Sequence, residues 1–242
     1  MNGGLFSFPS VMDLYDVKEM FSKYYVDPGI AQQNVHSKWK VKIHDNGRAL
    51  LLVMVQNCKK MVLNYIFNMG SVGMSHIWVE LEGANEVVTP LPETSRSLPT
   101  RYWYILPHLL DSYLAHMLFK LAGVDSLLIK KVSFNGSPDG TQSGEVIEKN
   151  SPEAKHYWTE TSQFYPTPDI VTGSQRFYRK YGVRESKAHA KCISHFLGDS
   201  QVSLSTTNDS VVGKLGFGLS LTGFSNPVWV KHCRVKYQVS YF

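Results

Sequence analysis

The chain has 242 residues, of which 43% are hydrophobic, 12% aromatic and 19% charged. This composition excludes a disordered chain, a coiled coil and a collagen-like fibre, and three cysteines are too few for a disulfide-scaffolded mini-protein. Lys and Arg number 25 against 20 Asp and Glu, a net charge of +5. The excess sits between Ser174 and Lys191, where Arg176, Arg179, Lys180, Arg184, Lys187 and Lys191 face Glu185 alone. A basic balance held in one segment fits a local anionic contact or a solvated face. It does not fit a protein that coats nucleic acid along its length, and nucleic acid is not an expected partner.

In chain order, Ser10 and Asp13 form a capping-box-like pair ahead of Leu14, Val17, Phe21 and Tyr24. That spacing predicts a helix, ended by Asp27-Pro28-Gly29. Trp39, Val41 and Ile43 alternate with Lys38, Lys40, Lys42 and His44 and predict a half-exposed strand whose lysines guard an edge. Asp45-Asn46-Gly47 reads as a hairpin turn. The apolar runs Ala49 to Val55 and Met61 to Met69 read as buried strands. From Ser75 to Glu82, Ile77, Val79 and Leu81 are expected inward, with His76, Trp78, Glu80 and Glu82 outward.

Pro107 opens a predicted helix with Leu110, Tyr113, Leu114, Met117, Leu118 and Leu121 at its apolar positions and Gly123 past its end. Leu127 to Phe134 reads as a strand, and Ser151 to Pro168 as irregular. Ser174 to Tyr181 and Ser186 to Leu197 read as short helices stopped by Gly182 and Gly198. Leu215, Phe217, Leu219 and Leu221 alternate with Gly216, Gly218 and Ser220, predicting a strand closely approached on its small face. In the final strand, Val228 to Phe242, the apolar phase is even at Val228 and Val230 and odd from Cys233 onward. The switch requires one extra residue, a β-bulge near Lys231–His232. The fold class predicted is mainly β with several helices: one antiparallel, jelly-roll-like β-sandwich over 1–242. Residues 1–29 form an N-terminal helical arm in this reading, and 107–122 and 174–197 are helical insertions.

No pattern announces a chemistry. His189, Cys192 and His195 on the second predicted short helix fan over about 120°, too divergent for zinc or Cys–His chemistry. Gly213-Lys214 lacks the earlier glycine and the following Ser or Thr of a phosphate loop. GxSxG, HExxH and GxGxxG are absent. No catalytic residue, metal or cofactor is therefore expected. Cys58, Cys192 and Cys233 are far apart, which leaves buried small hydrophobes or an intermolecular disulfide as readings. Tyr102, Trp103, Tyr104, Tyr157 and Trp158 lie in loop-like settings. Together with Tyr24, Tyr25, Arg176, Tyr178 and Arg179 they are the candidate assembly contacts, since Tyr, Trp and Arg concentrate at interfaces. Residues 1 to 9 lack the features of a secretion signal, and no stretch approaches the roughly 18 apolar residues of a membrane span; neither secretion nor a membrane is expected.

The size, low charge, tyrosine richness and alternating tail Arg234 to Phe242 resemble the viral occlusion-body matrix proteins, the polyhedrin-like proteins of insect viruses. That resemblance implies a jelly-roll-like sandwich without catalysis. It implies self-assembly into a crystalline lattice around virions in the nucleus or cytoplasm of an infected host cell, and dissolution in alkali as tyrosine and lysine titrate near pH 10. The alternatives are a single jelly-roll capsid protein and an enzyme whose site is assembled from distant residues.

Overall fold

The computed structural model describes residues 9–83, 96–106, 108–121, 126–135, 142–149, 155–160, 167–178, 185–196 and 200–240. The chain runs β1 (Pro9–Val26), α1 (Pro28–Gln33), β2 (Ala49–Leu63), β3 (Phe67–Glu80), β4 (Arg96–Ile105), β5 (His108–Leu110) and α2 (Tyr113–Leu121). There follow β6 (Ser126–Leu128), β7 (Lys131–Asn135), β8 (Gln142–Ile147), β9 (Lys155–Glu160), β10 (Thr167–Tyr178), β11 (Glu185–Phe196), β12 (Ser200–Thr206), α3 (Val211–Lys214) and β13 (Ser220–Ser240). The protein is mainly β, as expected, but it is not a jelly roll. Strands β1, β2, β3, β4, β10, β11 and β13 pair in that order, and β13 pairs back to β1. The seven strands therefore close a ring, which removes the exposed edges of an open sheet. All its pairings are antiparallel except the parallel β4–β10. From the first residues of β13, an arm of β12, β9, β8 and β7 branches off.

The expected N-terminal helix is the strand β1. Its buried Met12 and Leu14 alternate with a period of two, and Asp16, at φ 48°, shifts the phase so that Val17 and Glu19 follow. A bulge-like break of this kind turns a period of two into a three-residue step, which imitates a helix. Both faces of β1 are also covered, since Ser22, Tyr24 and Val26 are buried on the other side. The helices expected within 174–197 are the strands β10 and β11. There Ala188, Ala190 and Cys192 alternate with Lys187, His189 and Lys191, a strand period that helical spacing also tolerates. The helix expected at 107–122 is observed as α2, starting later behind Ser112, whose Oγ accepts from Ala115 N at 3.3 Å. Residues 39–43 contribute only isolated bridges at Val41 and Ile43. Residues 215–219 are not a strand, because Gly216 and Gly218 take φ of 80° and 108°. The run Met61 to Met69 is broken by a turn at 64–66. Residues 155–160, expected to be irregular, form β9. The bulge foreseen in the last strand is present: against Ile193 and Ser194 of β11, β13 sets His232 and Val230, leaving Lys231 extra.

Two cores flank β1–β4. Leu51, Val53 and Val55 of β2 and Ile77 and Val79 of β3 join Val132, Val146, Val202 and Leu204 of the arm in one cluster. The alternate residues Leu50, Leu52 and Met54, with Met74, Trp78, Trp103, Ile105 and Cys233, form the second. The arm covers the outside of the ring, so the second cluster lies within it. At about 25 cal/mol per Å² of apolar surface buried, the fully buried Trp103, Tyr24 and Tyr104 are among the largest single contributors to this packing.

Candidate active site

Among the described residues, the ring interior carries polar groups between apolar ones. Cross-strand register sets Glu19 of β1 opposite Gln56 of β2, and Gln56 opposite Met74 of β3. One row along, Phe21, Met54 and His76 face one another in the same way. Glu19, Gln56 and His76 are all buried. Strand spacing puts the Glu19 and His76 Cα positions about 12 Å apart, two strands over and two residues along. His108, on the short β5, meets His76 through the two Nδ1 atoms. The rings stand edge to face at 4.3 Å between centroids, with Phe119 of α2 behind His108 at 6.0 Å.

Burial decides the protonation of both key groups. Glu19 is pushed up from 4.5 to about 8 by desolvation, so its carboxyl is mostly a neutral acid at pH 7. Desolvation likewise pushes His76 down to about 3, so it is a neutral imidazole. In the His76–His108 contact one Nδ1 donates and the other accepts. Among the described residues, nothing hydrogen-bonds His76 Nε2. Depending on the tautomer, that atom is a buried unspent donor or an unspent base. On the α2 side, His116 Nδ1 lies 3.0 Å from Ser126 Oγ and ties the helix to β6.

Trp78 and Trp103 stand one and two rows further along, with ring centroids 5.9 Å apart. Beyond them the interior meets solvent. Tyr25 is 39% exposed and Phe224 59%, and the buried Glu80 carboxylate accepts from Lys42 Nζ at 3.2 Å and pairs with His44 Nε2 at 3.0 Å. His44 also packs edge-on to Tyr25 at 5.6 Å. The arrangement is a ring with one charged, open rim, an aromatic throat and a neutral polar belt deeper in. Among the described residues there is no group of three or more His, Cys, Asp or Glu that could hold a metal.

None of the belt was anticipated as a site. His76, Trp78 and Glu80 were expected to face solvent, because alternation was read as one wet and one dry face. In a closed ring with an arm outside it, both faces of β3 are buried. The candidate assembly contacts scatter. Tyr24, Tyr102 and Tyr104 are buried in the outer core and Trp103 in the throat, so these four are not surface contacts. Tyr25 is at the rim. The backbone sets Tyr157 and Trp158 on β9, and Arg176 and Tyr178 on β10; Arg179 lies outside the described residues. Cys58 is free but fully buried. Cys233 is disulfide-bonded within this chain, and Cys192 is its cross-strand neighbour in the β11–β13 ladder. Cys58 and Cys233 are therefore not thiols open to an intermolecular disulfide. His189, Cys192 and His195 lie on a strand rather than a helix.

No protein-family model matches the chain, and no curated protein sequence does. Solved structures do match. One is an acetoacetate decarboxylase-like enzyme from Sphingomonas wittichii RW1, with 6% identity and a TM-score of 0.58 over 97% of this chain and 92% of that one. Another is the acetoacetate decarboxylase of Legionella pneumophila, with 11% identity and a TM-score of 0.53 over 91% and 86%. A third is the enduracididine biosynthesis enzyme MppR complexed with pyruvate, with 12% identity and a TM-score of 0.54 over 97% and 89%. At such identities the likeness is one of fold. It overturns the resemblance to occlusion-body matrix proteins. The expectations that hung on that resemblance fall with it: a viral structural role, a crystalline lattice around virions, an infected-cell location and the lack of catalysis.

Proposed function

We propose that the protein is an enzyme that carries out acid–base chemistry on a small carbonyl compound, of the 2-oxo acid class, inside the seven-stranded ring. The observation that carries this reading is the pair Glu19 and His76: two buried groups, both neutral, on one interior wall, with the His76 Nε2 unspent. Isolated buried ionisable groups destabilise a fold, and groups so perturbed concentrate at sites of catalysis. The fold shared with MppR bound to pyruvate, a 2-oxo acid, supports the choice of substrate class, and the fold shared with acetoacetate decarboxylase-like enzymes supports a small oxo acid more broadly.

In this reading the substrate enters past Tyr25 and the Trp78–Trp103 pair, whose rings pack against each other. Its carbonyl oxygen accepts a hydrogen bond from the neutral His76 Nε2–H, while the Glu19 carboxyl, through the carboxylate form it reaches near pH 8, takes a proton from the adjacent carbon. The C–H electron pair moves into a C=C bond as the carbonyl oxygen takes up the negative charge, the proton stays on Glu19, and an enolate held by His76 results. A mechanism through a lysine imine needs an amine kept neutral by desolvation or by a neighbouring cation. Every lysine whose side chain is described is exposed.

The test is exchange of the pyruvate methyl protons in D₂O, followed by ¹H NMR at pD near 7. The wild type should accelerate exchange, and Glu19→Gln and His76→Gln should each lower it about 100-fold or more, with the fold intact by circular dichroism. Wild-type protein that neither binds pyruvate or acetoacetate nor turns either over would refute the proposal. Covalent trapping of pyruvate by borohydride would replace it with an imine mechanism.

A further inference from the structure

At the end of β2 and β3 away from the open rim, the hairpin turns at residues 64–66. Its tip is apolar and exposed: Tyr65 is 61% exposed, Ile66 75% and Phe67 46%. The turn is held stiffly. Asn64 and Tyr65 both take positive φ, 51° and 65°, the form of a type I′ turn. A bulky aromatic rarely adopts that conformation. Asn64 N donates to Val11 O at 2.7 Å, and Asn64 Oδ1 accepts from Val11 N at 2.9 Å, pinning the tip to β1. Cations surround it. Lys59 is 80% exposed at its side chain, Lys60 is exposed, and the Arg234 guanidinium lies over the Tyr65 ring at 5.4 Å. Among the described residues, the acids nearby are Asp16, 3.9 Å from Lys59, and Asp13, which is paired to Arg234.

We infer that this tip is a docking wedge for an anionic lipid surface. The shape selects that partner. Tyr65, Ile66 and Phe67 are all exposed at the tip of a tight turn, so a flat protein surface laid against one side of it can cover only part of them. A headgroup layer closes around a protruding tip and covers all three, while lysines beside it attract negative lipid.

The test is co-sedimentation of the full chain with phosphatidylcholine vesicles, with and without phosphatidylserine. Binding to the phosphatidylserine vesicles is expected, weakened by raised salt. The variant Ile66→Ser/Phe67→Ser should reduce the bound fraction at least tenfold. Lys59→Gln/Lys60→Gln should remove the preference for phosphatidylserine, and this surface pair keeps the test open if the first variant fails to fold. Wild-type protein that ignores both vesicle types would overturn the inference. So would a wild-type dimer in sedimentation equilibrium that Ile66→Ser/Phe67→Ser dissolves, which would assign the tip to a second copy of the chain.

Discussion

Replacing Glu19 by glutamine keeps the size and hydrogen-bonding capacity of the side chain and removes its titration. In the folded protein Glu19 holds its proton up to about pH 8, whereas its ordinary value is 4.5. Between those values the unfolded chain is ionised and the folded one is not, so the folded state binds more protons. Stability therefore falls as pH rises across this window, by about 1.4 kcal/mol per pH unit for a fully shifted group. Over about 3.5 pH units the upper bound is about 5 kcal/mol. Glu19 retains 9% exposure, and solvent reaching it reduces that figure, so a loss of about 2–4 kcal/mol is the working expectation. Urea denaturation of the wild type and Glu19→Gln at pH 5, 6, 7 and 8 isolates the effect, because other titrating groups cancel in the difference. The variant should match the wild type near pH 5 and become progressively more stable above it, while losing exchange activity. Parallel stability curves across the whole range would show that Glu19 is ionised or solvated in the folded protein, and would remove the raised carboxyl from the proposed site.

His76 makes the opposite prediction. Its folded value of about 3 lies below the ordinary 6.5, so stability is lost as pH falls from 6.5 toward 3; His76→Gln should flatten that limb of the acid-denaturation curve. For Asp13, burial alone would raise the carboxyl. The hydrogen bonds from Arg234 at 2.7 Å and His232 at 3.0 Å outweigh it and hold the group low. Asp13→Asn should cost about 1–3 kcal/mol at neutral pH and little in acid, measured by denaturant midpoint. Gly73→Ala should also destabilise, by about 1–3 kcal/mol, because a Cβ there would stand 2.6 Å from the Val132 Cβ and collide with the Asp111 carboxylate. A Gly73→Ala protein as stable as the wild type would show that β7 moves freely against β3.

The sequence by itself determined the β-rich class, the turn at Asp45-Asn46-Gly47, a helix within 107–122 and the extra residue at Lys231. Each is written in neighbouring residues: a glycine at positive φ, apolar positions repeating along one helix, an alternation that changes phase. What it could not decide was which strands meet. The phase break at Asp16 imitates a helix until β1 is seen between β2 and β13, and Lys187 to Cys192 satisfies two periods until β11 is paired. The site was hidden for the same reason. Glu19, Gln56, His76 and His108 come from four strands and share no spacing, and an alternating strand reads as half wet unless a closed ring and an outer arm cover both of its faces. Ring closure alone makes the polar side of β3 an interior. Burial there, a property of the assembled structure and not of any segment, keeps Glu19 protonated and His76 neutral.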